Sequence, residues 1–388
     1  MKLLTILPSM MRGGAEEHAL TLASAAAQKG WTVYAAFPPT NETASLVEDF
    51  QAKGIQYHPL SIENARPHRF QDVGQYLPQL ARTIALLVKL KPDIVQVNLP
   101  CPDQCLGSII ACGLLKIPTT VVFHLIATRF IFSASVLKVY AWARARNQQW
   151  IAISNHNRKF ICESFQVSSN NILLIYNGTK VTSDFIDCTP EQITSLRSQM
   201  RQELGLSQNS KLLLTVGRLN SQKGYQDLVP IVASVIREFP EVKFIWVGEG
   251  EEKEDLIQQV RKCGVEEHVL FLGYRSDVPR LLQAADLFVF PTYYEGLPFA
   301  PIEAMAHSLP IVASDASSLP EILEDKVHAL LFPVGNRDRL QQSLLWALRN
   351  PDAMQEMARQ AQIRAEDFSQ AKMIKDYLDL WQKLGSKG

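Results

Sequence analysis

Short apolar runs alternate with helix-forming stretches along nearly the whole chain, and this alternation limits the folds open to it. In the first half, strand-like runs fall at Lys2–Pro8, Thr32–Phe37, Asp93–Asn98, Thr119–His124 and Trp150–Ile153. Helical patterns such as Ala15–Gln28, Leu80–Leu90 and Val136–Arg146 lie between them. A second series of strand-like runs follows at Leu212–Val216, Val242–Val247, His268–Leu272, Leu287–Phe290 and Ile311–Ala313. Such alternation builds βαβ units with parallel sheets. A chain of 388 residues also exceeds what one hydrophobic core usually supports, so two α/β, doubly wound domains are expected. The chain closes on helical patterns without strands between them, at Gln341–Arg349, Ala353–Ala365 and Ala371–Leu384.

Asn177-Gly178 reads as a turn and hinge, followed by a polar stretch from Thr179 to Pro190. The expected division is an N-terminal Rossmann-like domain at residues 1–177 and a C-terminal one at 178–366, with a helix over 367–388 packing back on the first. Ligands in such folds bind beyond the carboxyl ends of the strands, so each strand-to-helix loop is a candidate for function.

Lysine plus arginine and aspartate plus glutamate balance at 39 each, which argues against bulk attraction to nucleic acid. Six scattered cysteines make no disulfide framework and fit a reducing cytoplasm. Cys101, Cys105 and Cys112 cluster without a histidine, and no metal site is expected there or elsewhere. No run approaches the roughly 18 apolar residues of a membrane span, and the apolar run before Pro8 is too short for a signal-peptide core. Aromatic and basic residues from Phe130-Ile131-Phe132 through Lys138 to Trp142 and Arg146 suit either peripheral contact with a membrane surface or an ordinary helix packed on a sheet.

The most informative loop runs from Pro291 to Met305. It carries Glu295 in the loop and Glu303 in the helix that follows, after the strand Leu287–Phe290. Free N–H groups at a helix start take an anion, and a carboxylate grips sugar hydroxyls. Two cations, Arg218 and Lys223, fall in another strand-to-helix loop, Val216-Gly217-Arg218-Leu219 to Gln222-Lys223-Gly224. A guanidinium fork and an ammonium point charge both suit a diphosphate, although a solvated loop would also carry them. Val247-Gly248-Glu249-Gly250 allows close backbone approach. Phe271-Leu272-Gly273-Tyr274-Arg275 closes a strand where its backbone would read a base edge or form a plain turn. In the first half, Arg12-Gly13-Gly14-Ala15-Glu16 opens a helix and would let a phosphate approach. His124 and Asn98 end strands.

Taken in this order, Val216-Gly217-Arg218-Leu219, Lys223-Gly224, Gly248-Glu249-Gly250, Phe271-Leu272-Gly273-Tyr274, Glu295 and Glu303 resemble glycosyltransferase family 4. The resemblance covers nearly all of residues 211–335 and, more loosely, the N-terminal half, where Gly13-Gly14-x-Glu16 also fits. It implies a GT-B fold, two Rossmann-like domains facing a deep cleft, and a retaining enzyme that uses a UDP- or GDP-linked sugar. Arg218 and Lys223 would hold the donor phosphates, Glu303 the ribose hydroxyls and Glu295 the transferred sugar. Backbone groups of Gly13, Gly14, Gly248, Gly296, Leu297, Phe299 and Ala300 would approach the donor, with Tyr274 and Arg275 beside it. His124 would contact both donor sugar and acceptor, and Asn98 the acceptor, a saccharide, glycolipid or lipid-linked molecule. The catalytic group is then Arg218, Lys223, Glu295 and His124, with no cofactor. The chain departs from the family at Ser317-Ser318, where two glycines are common, and at Glu251 and His328-Ala329.

Retention by a pair of acids needs carboxylates about 5–5.5 Å apart, and with Glu303 assigned to ribose no such pair stands out. The expected route is therefore front-face substitution, in which the acceptor hydroxyl attacks as the diphosphate leaves and a diphosphate oxygen takes its proton. The competing readings are a nicotinamide-dependent oxidoreductase, a nucleotide-sugar epimerase and a non-catalytic sugar-nucleotide binding protein. The first needs a Gly-x-Gly-x-x-Gly turn, which neither Gly13-Gly14 nor Gly248-x-Gly250 supplies.

Overall fold

The computed structural model describes residues 1–8, 12–62, 76–180 and 189–386. Met11, in the loop before Gly13, and residues 181–188 of the polar stretch lie outside them. The chain divides into two compact units, Met1–Asn177 with Ala371–Gly388, and Gly178–Gln370.

The first unit holds β1 (Lys2–Ile6), β2 (Thr32–Phe37), β3 (Gln56–Pro59), β4 (Ile94–Leu99), β5 (Thr119–Phe123), β6 (Gln148–Ala152) and β7 (Ile172–Leu174). They form one sheet in the order β3-β2-β1-β4-β5-β6-β7, and every neighbouring pair is parallel. The second unit holds β8 (Lys211–Val216), β9 (Val242–Val247), β10 (Val269–Gly273), β11 (Leu287–Phe290), β12 (Ile311–Ser314) and β13 (Leu330–Phe332). Their order is β10-β9-β8-β11-β12-β13, again all parallel. Both are Rossmann-like sheets whose strand order reverses once, at β1/β4 and at β8/β11. Central strands such as Val-Lys-Phe-Ile-Trp-Val (β9) and Leu-Phe-Val-Phe (β11) read as near-continuous apolar runs because helices cover both sheet faces.

Three strands escape the sequence pattern: β3, β7 and β13. Each is a sheet edge, and none exceeds four residues. An edge strand of the type Gln-Tyr-His-Pro has no need of a doubly apolar run, so its signal is weak.

The two faces of the first sheet differ in chemistry. Leu4, Ile6, Val95, Val97, Val121 and Phe123 feed one large apolar cluster. The alternate positions bring Thr5 beside Gln96, Gln96 beside Thr120 and Asn98 beside Val122, all buried. Side chains at paired positions of a parallel sheet share a face, so this side carries a buried polar stripe. The final helix, Gln370–Gly385, helps to cover the stripe. It buries Met373, Tyr377 and Trp381 at intervals of four, and the Trp381 indole N–H donates to Thr120 Oγ1 at 3.1 Å.

No helix among the described residues is long and apolar enough to cross a membrane.

Candidate active site

In the second unit β8 and β11 are neighbours although β9 and β10 separate them in the chain, so the loops after β8 and β11 flank the crevice at the topological switch point. The loop after β8 carries Arg218, then a single 3-10 turn, Ser221–Lys223, and Gly224. Gly224 is required by geometry. Its φ is +73°, and a Cβ there would stand 2.0 Å from the Pro291 carbonyl oxygen of the facing loop. The two loops therefore touch backbone to backbone.

That approach lets Lys223 Nζ reach Glu295 Oε1 at 2.5 Å, with both side chains largely buried. The Thr292 hydroxyl stands 2.8 Å from the same carboxylate oxygen and 3.0 Å from the Gln222 carbonyl, and with one proton it donates to one of them at a time. Gln222 completes the clamp: its carbonyl accepts from Tyr293 N at 2.8 Å and its amide donates to the Tyr294 carbonyl at 2.8 Å. Lys223 Nζ also lies 5.1 Å from the Phe290 ring centroid, within cation–π range. Neither Gln222 nor Thr292 stood out in the sequence, because their role is visible only once two loops about 70 positions apart are joined.

Arg218 is exposed and has no ion-pair partner among the described residues. Behind it the glycine loop is packed tightly: a Cβ on Gly248 would meet the Gly217 carbonyl oxygen at 2.0 Å, and one on Gly250 the Leu219 carbonyl oxygen at 2.2 Å. Gly248 thus supports the loop that carries Arg218. Glu249 is held by Lys253 at 3.0 Å.

The helix Phe299–Ala306 starts beside Glu295. Its cap residue Pro298 supplies no side-chain hydrogen bond, and its first turn carries no acid, so the start of the helix suits an anion. Of the candidate backbone groups, Gly296 and Leu297 are buried and Phe299 and Ala300 half-buried. Glu303, one turn further on, is half-buried and accepts from Thr179 Oγ1 at 3.2 Å. Tyr274 is 71% exposed. Arg275 is tied to Asp277 by two 2.7 Å hydrogen bonds, which hold that carboxyl below its usual range, so its guanidinium is already engaged.

In the first unit Gly13 caps the helix Gly14–Gln28, but Glu16 and Glu17 already occupy the first turn. Arg12 is committed to Glu17 at 2.5 Å and to Asp49 at 2.7 Å. An anion therefore meets more competing negative charge here than at the start of Phe299–Ala306.

His124 follows β5 and is 7% exposed; its Nε2 lies 3.1 Å from Asn98 Oδ1. Asn98 is wholly buried and its amide also reaches Thr5 Oγ1 and the Ile6 carbonyl, so it meets His124 rather than solvent. His18, absent from the sequence-derived candidates, stands edge-on to His124 with ring centroids 4.8 Å apart and edge-on to Tyr377 at 5.2 Å. Burial drives His124 down to about 3, and burial together with His124 drives His18 well below the ordinary imidazole range. A signal for His18 existed: it is the polar member of the buried stripe Ala15, Ala19, Leu22 and Ala26.

The departures noted in the sequence have local consequences. Ser317 adopts a left-handed backbone, φ +50°, where glycine would fit without strain. His328 Nδ1 accepts from the Glu324 backbone N–H at 3.1 Å. Burial pushes the Cys112 thiol up to about 12, and Cys105 higher still, so both remain protonated.

Known proteins align with both units. Residues 197–364 match the family described as glycosyl transferases group 1, and residues 12–182 match glycosyltransferase family 4. An uncharacterized glycosyltransferase of Haemophilus influenzae is 30% identical over 169 residues, 43% of this chain and 48% of its own length. The UDP-Gal:alpha-D-GlcNAc-diphosphoundecaprenol alpha-1,3-galactosyltransferase of Escherichia coli is 27% identical over 285 residues, 68% of this chain and 71% of that protein. The chain spans about half the length of the first curated relatives it matches. Among solved structures, Anabaena Alr3699/HepE in complex with UDP superposes with a TM-score of 0.80 over 99% of this chain and 100% of its own, at 22% identity. Likeness at that level shows the fold, which is that of GT-B glycosyltransferases.

Proposed function

This chain belongs to glycosyltransferase family 4, and on that premise we propose that it moves a sugar, with retention, from a nucleoside diphosphate to a hydroxyl of a saccharide, glycolipid or lipid-linked acceptor. The observation that carries the reading is the grouping at the β8/β11 switch point: exposed Arg218, Lys223 held by Glu295, and a helix start with neither cap nor acid. These suit a diphosphate tail with a hydroxyl-rich sugar beside it.

Glu295 sets a limit on the charge available. Arg218, Lys223 and Glu295 together carry one net positive charge, not two. A cation near 4 Å at an effective dielectric of about 20 gains roughly 4 kcal/mol gross. The site is thus closer to one such gain than to two. As the diphosphate leaves, its growing charge competes with Glu295 for Lys223, which frees Glu295 to hydrogen-bond the sugar. Front-face substitution follows, with a diphosphate oxygen taking the acceptor proton. Electrostatic stabilisation of the leaving group carries the catalysis.

A UDP-sugar is the first donor to test, since the Anabaena neighbour is described in complexes with UDP and UDP-glucose. A lipid-linked acceptor is the first acceptor to test, since the Escherichia coli relative is named for one. Exposed Ile131 and Leu114, with Arg146 stacked 4.1 Å over Trp142, support peripheral contact with a membrane surface. Cosedimentation with anionic vesicles tests that contact. The proposed reaction uses no metal, and the rate in excess chelator checks this: a loss that manganese restores overturns it.

A panel of nucleotide sugars scored by melting shift, followed by a nucleoside diphosphate release assay, tests the whole reading. The true donor stabilises the fold by RT ln(1 + [L]/Kd) and so raises the melting point. A donor that binds yet never releases diphosphate with any acceptor identifies a binding protein instead, and conversion of donor without acceptor identifies an epimerase.

A further inference from the structure

Asn98 and His124 close adjacent strands of the first sheet, and a contact to a backbone carbonyl orients the Asn98 amide. Asn98 Nδ2 lies 3.1 Å from Thr5 Oγ1 and 3.4 Å from the Ile6 carbonyl oxygen. A carbonyl has no proton to give, so the amide nitrogen must be the end that faces Ile6. Thr5 Oγ1 lies 3.4 Å from Gln96 Oε1, and a Thr5 hydroxyl that donates there accepts from Asn98. Asn98 Oδ1 therefore faces His124 Nε2, at 3.1 Å. An amide oxygen only accepts, so Nε2 must carry the proton.

A neutral imidazole has one N–H, and the hydrogen bond at one ring nitrogen fixes the state of the other. His124 is buried and stays neutral, so its Nδ1 bears a lone pair. Nδ1 has no hydrogen-bond partner among the described residues. The ring of His18, a second titratable group, stands edge-on to it with centroids 4.8 Å apart.

We propose that Asn98 is a positioning residue that fixes His124 as its Nε2–H tautomer, so that His124 Nδ1 is solely a hydrogen-bond acceptor and selects a ligand hydroxyl at that point. The proposal rests on the transferase reading only for the identity of the ligand. A sugar hydroxyl meets the requirement. A fluorine or keto oxygen at the same position, having nothing to donate, does not.

Long-range nitrogen-15 NMR of the full chain tests this, with the His124 signals identified by their loss in His124→Gln. At neutral pH the wild type is expected to show one species with a protonated Nε2 and a bare Nδ1. Asn98→Leu, which removes both partners, is expected to show a mixture of tautomers and about tenfold lower turnover, the worth of one hydrogen bond. Asn98→Asp keeps an acceptor oxygen, so Nε2–H should persist while His124 titrates at higher pH beside the carboxylate. A proton on Nδ1 in the wild type, an unchanged single tautomer in Asn98→Leu, or an unchanged His124 titration in Asn98→Asp overturns the proposal. The spectra need no sugar donor, so a chain that transfers nothing would still report the tautomer.

Discussion

Lys223 Nζ lies 2.5 Å from Glu295 Oε1, across 72 positions of the sequence, and both side chains are largely buried. The pair ties the cation of one loop to the acid of the next, and on the proposed reading a donor diphosphate would compete with Glu295 for it. Removing either member leaves the other charged in a partly dry crevice, a loss that commonly costs about 3 kcal/mol or more.

Lys223→Ala should therefore fail in two ways. Turnover at saturating donor should fall at least tenfold, on the order of a lost oxyanion donor, and the melting temperature should drop because Glu295 is left unpaired. Steady-state kinetics and a thermal melt read the two separately. An unchanged rate removes Lys223 from the mechanism.

Arg218→Ala should separate binding from stability. The side chain is exposed and outside any ion pair among the described residues, so stability should change by no more than about 0.5 kcal/mol. Donor affinity should fall about tenfold or more with the loss of a charge-assisted hydrogen bond. Calorimetric titration with the donor reads the affinity, and equal affinity in the two proteins would exclude Arg218 from the phosphate site.

Acid should destabilise the first unit before carboxylates titrate. His124 and His18 stay neutral in the folded chain, far below the ordinary value near 6.5, but take up protons once unfolded. The unfolded state then binds more protons, so stability falls as pH drops below about 6.5, by roughly 1.4 kcal/mol per pH unit per ring. Denaturant melts between pH 7 and 5 should show the decline, and His124→Gln should make it shallower. A flat profile over that window contradicts the buried, neutral pair.

Two glycines with similar backbones give a controlled comparison. Gly224 and Gly264 have φ of +73° and +66°, but a Cβ meets the Pro291 carbonyl oxygen at 2.0 Å in the first and nothing within 4 Å in the second. Gly264→Ala should cost about 1 kcal/mol, the backbone penalty alone. Gly224→Ala should cost at least about 2 kcal/mol and weaken donor binding as the loops part. Equal costs would mean that the loop contact is not tight.

Much of this molecule is legible in its sequence because buried parallel strands declare themselves. β8, β9 and β11 are apolar on both faces, and the loops after them carry the Arg218, Gly248 and Glu295 motifs in a recognisable order. Edge strand β3 leaves no such pattern, and β7 (Ile-Leu-Leu) and β13 (Leu-Leu-Phe) are apolar but only three residues long. Pairings across long stretches of chain are the other gap. Nothing local in Lys223 announces Glu295, and nothing in Asn98 announces that its amide is spent on Thr5, Ile6 and His124. Sequence arithmetic counted two free cations for the diphosphate; the structure sets a carboxylate against one of them.

The central claim is that the β8/β11 switch point holds the departing diphosphate, and a crystal of the chain soaked with a UDP-sugar or UDP tests it most directly. The account predicts phosphate oxygens within hydrogen-bond reach of Lys223 Nζ and the Arg218 guanidinium, with the pyrophosphate against the start of Phe299–Ala306. A diphosphate bound elsewhere, with Lys223 still on Glu295 and Arg218 in solvent, would contradict it.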